Sequence, residues 1–131
     1  MPTATHTLST SSPQEVLASI VTGINAGDLE SLTTLYEPDA AFVADSGELA
    51  HGADGVRESL AAFISMNGWL DLEVTNVLEA DDLALVTGNW SFAGTGPDGQ
   101  PVHLAAKNAD VLRRQPDGSW RFVIDNPWGT F

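Results

Sequence analysis

Two aspartates late in the chain sit where strands usually carry hydrocarbon: Asp110 in Ala105-Ala106-Lys107-Asn108-Ala109-Asp110-Val111-Leu112, and Asp125 in Trp120-Arg121-Phe122-Val123-Ile124-Asp125-Asn126-Pro127-Trp128. A carboxyl in apolar surroundings resists ionising, so such a group can give and take protons near neutral pH. Between the two runs, Gln115-Pro116-Asp117-Gly118 reads as a hairpin loop. With Arg114 facing Ser119, Asp110 falls opposite Val123 and Asn108 opposite Asp125, and opposed residues share a face. One face then carries Asn108, Asp110, Leu112, Arg121, Val123 and Asp125, and the other Ala109, Val111, Trp120, Phe122 and Ile124. Both faces hold hydrocarbon, so both are expected to be covered, one by helices and one by a second copy in a two-fold homodimer. Spacing alone leaves two readings open. Either the acids face a pocket and Trp120, Phe122 and Ile124 form the dimer face, or those three are the core face and the acids meet solvent. Arg121 shares the acids' face and could neutralise them, whereas Lys107 alternates to the other side.

The elements that must position this hairpin are legible in order. Ser12-Pro13-Gln14-Glu15 has the form of a capping box, followed by Val16, Leu17, Ile20, Val21 and Ile24 at helical spacing. Gly27 suits a left-handed cap, and Asp28 can cap a second helix carrying Leu29, Leu32, Leu35 and Tyr36 that Pro38 ends. Short strands are expected at Ala40 to Ala44 and Glu48 to Ala50, then a helix from about Asp54 presenting Val56, Leu60, Phe63 and Ile64, stopped by Asn67-Gly68. From Leu70 the pattern alternates with period two, and strands are expected at Leu83 to Ala93, Val102 to Arg114 and Ser119 to Asn126. Three helices followed by long antiparallel strands make an α+β domain. Residues 1–11 are expected to be a disordered leader and 12–131 a single domain.

Composition narrows the partners. Eighteen Asp and Glu against five Lys and Arg give a formal charge of −13, which repels phosphate backbones and anionic lipid, so neither nucleic acid nor membrane is expected. The start Met1-Pro2-Thr3-Ala4-Thr5-His6-Thr7 lacks the basic, apolar pattern of a secretory signal, and a cytoplasmic location is expected. Without cysteine, and with histidines only at 6, 51 and 103, no metal constellation forms. Gly94-Thr95-Gly96-Pro97-Asp98-Gly99 lies between strands and not before a helix, so no nucleotide cofactor is implied. Trp90, Phe92, Tyr36, His51 and Trp128 are the remaining side chains that could meet a ligand, Trp90 and Phe92 as one aromatic face of a strand and Trp128 either at a pocket mouth or against a partner.

The order of several weak motifs resembles the SnoaL-like and ketosteroid-isomerase-like branch of the nuclear-transport-factor-2-like superfamily. They are Asn25-Ala26-Gly27-Asp28, Leu35-Tyr36-Glu37-Pro38-Asp39-Ala40-Ala41-Phe42, His51-Gly52, Val111 through Arg121 around the hairpin, and Asp125-Asn126-Pro127-Trp128. The resemblance implies a cone, a strongly curved, mostly antiparallel sheet wrapped around three N-terminal helices, enclosing a pocket and commonly dimerised through the outer sheet face. It places Asp110 at the isomerases' protonated oxyanion-hole acid and, more loosely, Asp125 at the acid–base aspartate of the cyclases. It also shows departures: the isomerase tyrosine corresponds to Ile20, and the general base to Ala44 or, with a one-residue slip, Asp45. Standard steroid isomerisation is therefore not expected. The resemblance implies a cofactor-free pocket protein for a small apolar or aromatic, carbonyl or polyketide-like molecule. Asp110 and Asp125 would be the catalytic pair of an isomerase, cyclase or dehydratase, with Trp90, Asn108, Tyr36, Phe92, His51, Val123 and Trp128 around the ligand. The alternative is a non-catalytic dimeric binding or interaction module on the same fold.

Overall fold

Ser12 is extended, and its hydroxyl accepts the N–H of Glu15 at 3.2 Å, which starts helix α1 (Pro13–Ala26) in this computed structural model, where residues 8–129 are described. Pro13 costs the first turn no hydrogen bond, because that N–H would have no helical partner. The capping box is only half formed: the Glu15 carboxylate takes the hydroxyls of Ser9 and Ser11 instead of reaching back to Ser12. Gly27 closes the helix in the left-handed region at φ 68°, and Asp28 caps α2 (Leu29–Thr33) through the Ser31 N–H. Gly23 lets the two helices touch, since a β-carbon there would sit 2.4 Å from Leu32 Cδ2.

The chain then departs from the expected second helix. Leu35 and Tyr36 keep helical spacing, yet α2 ends at Thr33 and Tyr36 opens strand β1 (Tyr36–Val43). The cause is tertiary: the Leu35 carbonyl accepts the N–H of Phe122, which draws the chain into the sheet. Pro38 lies inside β1 at the register irregularity between Tyr36 and Ala41, a place where a missing donor is tolerated. Strand β2 (Leu49–His51), helix α3 (Gly52–Ile64), and strands β3 (Trp69–Ala80), β4 (Leu83–Thr95), β5 (Pro101–Arg114) and β6 (Trp120–Asp125) complete the order. All six strands form one curved, unclosed sheet, β2-β1-β6-β5-β4-β3, antiparallel except where β1 runs parallel to β6. The α+β cone expected from the sequence is thus the fold observed.

Inside the cone, α1 contributes Val16, Leu17, Ile20 and Ile24, and α3 contributes Val56 and Leu60. They pack on the inward row of β4, with Ala84, Val86, Trp90 and Phe92 all buried, and on Leu112, Trp120 and Phe122. Each buried valine, leucine, isoleucine or phenylalanine among them stabilises the fold by about 1.5–3 kcal/mol through burial alone. Of the expected leader, residues 1–7 lie outside the described residues. Its last residues are held in place: Leu8 packs against the core, the Ser9 N–H donates to Ser19, and the Thr10 carbonyl accepts from the Trp120 N–H. Among the described residues, no helix is long and apolar enough to cross a membrane.

The hairpin register corrects the sequence reading in two places. Arg114 faces Trp120, not Ser119, so Trp120 and Phe122 point inward and are core residues at 4% and 0% exposure. They cannot form a dimer face. A β-bulge then leaves Val123 as an extra residue between the pairs Leu112–Phe122 and Val111–Ile124. The bulge inverts the alternation, so Ile124 is exposed and Asp125 turns inward. Arg121 pairs with Arg113, away from the acids.

Candidate functional site

Continuing the register beyond Val111–Ile124 brings Asp110 opposite Asp125, and both are buried, at 1% and 8% exposure. Four adjacent strands meet there, since the acids lie on β5 and β6, Val86 of β4 pairs with Asp110 and Phe42 of β1 pairs with Asp125. Asp110 Oδ1 accepts the backbone N–H of Asn126 at 2.8 Å, and its Oδ2 accepts Asn108 Nδ2 at 2.8 Å. Asp125 Oδ2 accepts the Tyr36 hydroxyl at 2.5 Å, and the Tyr36 ring stacks on Phe122 with centroids 4.8 Å apart. The ion pairs among the described residues are Arg57–Glu30 and Arg113–Glu37, the latter at 3.0 Å. Neither reaches the aspartates.

Electrostatics follow from this geometry. Burial pushes the Asp110 carboxyl well above the ordinary carboxylate range, and the charge of Asp125 beside it pushes the same way, against the hydrogen bonds from Asn108 and Asn126. Burial raises Asp125 to about 6, with hydrogen bonds from Tyr36 and Asp110 limiting the rise. The Tyr36 hydroxyl is pushed well up by burial and by the neighbouring Asp125, so it stays protonated and donates. Two carboxyls this close lose their protons as a pair, and the first proton to leave comes mainly from Asp125.

The pair forms part of the wall of a cavity at the centre of the cone. Leu17, Ile20, Ile24, Leu60 and Phe63 face it from the helices, and Phe42, Leu70, Leu72, Trp90, Asn108, Phe122 and Pro127 from the sheet side. Empty space amounts to ≈ 490 Å³ when the open mouth is counted, but only ≈ 50 Å³ admits the centre of a water molecule. That inner space suits a few waters or a small fragment, and a larger molecule needs the mouth to widen. Phe63 stands at its side, edge-on to both Trp90 and Phe92 at 6.1 and 5.6 Å.

The structure brings some of the sequence candidates together and separates others. Asp110, Asp125, Asn108 and Trp90 line the cavity. Tyr36 does not line it but stands behind Asp125, with its hydroxyl on the carboxyl. Phe92 is core packing, and Trp128 packs edge-on against Trp90 at 5.3 Å. Val123 is the half-buried bulge residue and His51 is the exposed cap residue of α3, with no capping side-chain bond; neither lines the cavity. Of the positions that depart from the isomerases, Ile20 is on the cavity wall, while Ala44 and the exposed Asp45 are not.

Two features escaped sequence reasoning. The turn after β6 forms one wall: Pro127 lines the cavity, its carbonyl accepts Trp90 Nε1 at 2.6 Å, and Asn126 closes the turn through Gly129. The Asn-Pro-x-Gly string Asn126-Pro127-Trp128-Gly129 was the available turn signal. Gly88 was the other, for a glycine inside a strand marks a close approach, here by Asn108. Among the described residues, no group of three or more His, Asp or Glu could hold a metal ion.

Solved structures agree with this architecture. A ketosteroid isomerase-like protein from Erwinia carotovora atroseptica superposes with TM-score 0.75 at 19% identity, covering 86% of this chain and 88% of that one. A nuclear transport factor 2-like superfamily protein from Salmonella enterica gives 0.76 at 20% identity, covering 89% and 87%. An NTF2-like protein with a cystatin-like fold from Novosphingobium aromaticivorans gives 0.69 at 20%, covering 85% and 75%. At these identities the likeness establishes the fold. No curated protein matches. The family description of a SnoaL-like domain matches residues 17–123, most of the chain, from within α1 to within β6, and the chain therefore belongs to the SnoaL-like domain family.

Proposed function

We propose that the cone binds a small, largely apolar carbonyl compound and moves protons on it without a cofactor, as an isomerase, cyclase or dehydratase does. The observation that carries this reading is the pair of buried carboxyls on an apolar wall with no cation among the described residues beside it. Such a pair cannot ionise twice at neutral pH, so it rests as one acid and one carboxylate. Asp125, supported by the Tyr36 hydroxyl, is the carboxylate, and Asp110 is the acid. In the proposed step, Asp125 takes a proton from the carbon beside the ligand carbonyl while Asp110 gives its own to the carbonyl oxygen, leaving an enol. In a conjugated dienol, return of the proton from Asp125 to a different carbon, with the enol O–H proton going back to Asp110, completes an isomerisation and restores both carboxyls.

The same reading includes a homodimer through the outer sheet face, revised in its residues. Leu83, Leu85 and Ile124 are exposed hydrocarbon there, at 39%, 41% and 38% exposure, beside Leu78, which pairs with Leu85 and is 57% exposed, in place of Trp120 and Phe122. A non-catalytic binding module on the same fold is favoured by a different observation, the narrowness of the cavity beside the acids. Deuterium uptake separates the two. Small cyclic ketones in heavy water, followed by proton NMR, should exchange their α-protons with the wild-type protein and not with Asp125→Asn. Exchange no faster than with buffer across the panel, together with ligand binding, would establish the non-catalytic module.

A further inference from the structure

Asn108 is 4% exposed, and its Oδ1 has no hydrogen-bond partner among the described residues. A buried acceptor left bare costs free energy, and an amide so placed calls for an explanation. Its surroundings supply one. Gly88 pairs with Asn108 across β4 and β5 and has no side chain, and the point where its β-carbon would lie is 2.9 Å from Asn108 Oδ1 and 2.4 Å from the Glu73 backbone oxygen. The Glu73 backbone oxygen and Asn108 Oδ1 therefore both crowd the Gly88 α-carbon, and no donor among the described residues reaches Asn108 Oδ1 there. At the other end of the amide, Nδ2 donates to Asp110 Oδ2. Asp110 Oδ1 is already taken by the Asn126 N–H, which leaves Oδ2 to carry the proton when the carboxyl is neutral.

A half-turn of the amide exchanges its oxygen and nitrogen at almost no change in shape. The geometry points to Asn108 as a positioning residue whose amide turns with the proton on Asp110. When Asp110 is neutral, Asn108 Oδ1 competes with the Asp125 carboxylate for its proton, and the NH₂ faces the Gly88 α-carbon and the Glu73 carbonyl. When Asp110 is a carboxylate, the NH₂ turns back and donates to it, the arrangement seen in this structure. The inference rests on the proposed acid–carboxylate pair and adds what stabilises each of its states. Other ionisable groups around Asp110 are Asp125 from β6 and Tyr36 from β1; α1 and α3 present Leu17, Ile20, Leu60 and Phe63, and β4 presents Val86 and Trp90. In the resting protein the turned amide keeps the proton on Asp110 and leaves Asp125 as the base. After Asp110 has protonated a ligand, the returning NH₂ stabilises the new carboxylate.

Carboxyl carbon NMR on the full chain tests this through the sign of a shift. Asn108→Leu removes both the acceptor and the donor. If Oδ1 holds the proton on Asp110, the neutral form loses a partner and the Asp110 midpoint falls by about one unit. A midpoint that rises by a similar amount, or does not move, overturns the inference. The wild-type protein gives a second, fold-independent readout: strong cross-relaxation near pH 7 between the Asn108 side-chain NH₂ and the Gly88 α-protons is expected, and its absence in a well-resolved spectrum overturns it. If the wild-type aspartates both titrate as ordinary carboxylates, the underlying function fails instead. A raised wild-type midpoint with a further rise in Asn108→Leu fails this inference alone.

Discussion

Tyr36→Phe isolates the contact that keeps Asp125 anionic, because the ring and its stacking on Phe122 remain while the hydroxyl is lost. A hydrogen bond to a charged group is worth about 1.5–3 kcal/mol, and one to a neutral group about 1. The differential loss, roughly 0.5–2 kcal/mol, raises the Asp125 midpoint from about 6 by roughly half a unit to one and a half units. The sign for stability follows from proton binding. Asp125 has a higher midpoint folded than unfolded, so between pH 3.8 and about 6 the folded state binds more protons and stability falls as pH rises. In the wild type that fall is on the order of 3 kcal/mol from this group, complete slightly above pH 6. The variant should lose about 1 kcal/mol at pH 4 and roughly 1.5–3 at pH 8, with the fall continuing to higher pH. Urea unfolding followed by tryptophan fluorescence at several pH values measures both losses. Equal destabilisation at pH 4 and pH 8, with the Asp125 midpoint unmoved, would refute the assignment of Tyr36 as the group that supports the carboxylate.

Other substitutions test other parts of the site. Asp125→Asn removes the neighbouring charge, so the Asp110 midpoint should come down by NMR titration and the loss of stability between pH 4 and 6 should flatten in urea melts. Gly88→Ala places a β-carbon 2.4 Å from the Glu73 oxygen and against Asn108, and should cost about 1–3 kcal/mol by chemical denaturation, more than an ordinary surface change. Phe63→Ala opens the side of the cavity at a cost of about 3–5 kcal/mol at most, since Phe63 is only half-buried; dye or ketone binding should tighten if the inner space limits ligand size. Leu85→Glu on the outer face should convert a dimer to a monomer in sedimentation, and a wild-type protein that sediments as a monomer at high concentration removes the dimer proposal.

How far the sequence could be read depended on which forces set each feature. Helix α1 and its caps were legible because Ser12, Pro13, Gly27 and Asp28 act on their own neighbours. The alternation of β4 was legible because one face is buried along its whole length. Tyr36 was placed in a helix because Leu32, Leu35 and Tyr36 keep helical spacing, while the bond that pulls Leu35 to Phe122 spans most of the chain. The acids were brought to one face by a register that was off by one residue at the hairpin. The bulge at Val123 supplied the compensating slip, and no side-chain pattern announces a bulge in Trp120-Arg121-Phe122-Val123-Ile124-Asp125. For the same reason Trp120 and Phe122 were offered to a partner when they belong to the core, and Arg121 was offered to acids it does not reach. Tyr36 was visible as a residue needing a partner, but its position behind Asp125 follows from the parallel β1–β6 pairing.

The central claim is that Asp110 and Asp125 share one proton at neutral pH inside an apolar cavity. Carboxyl carbon NMR of the uniformly labelled protein from pH 3 to pH 9 tests it directly. The account predicts an Asp125 midpoint near 6 and an Asp110 carboxyl still protonated at pH 7. Two carboxylates fully ionised by pH 5 would contradict it.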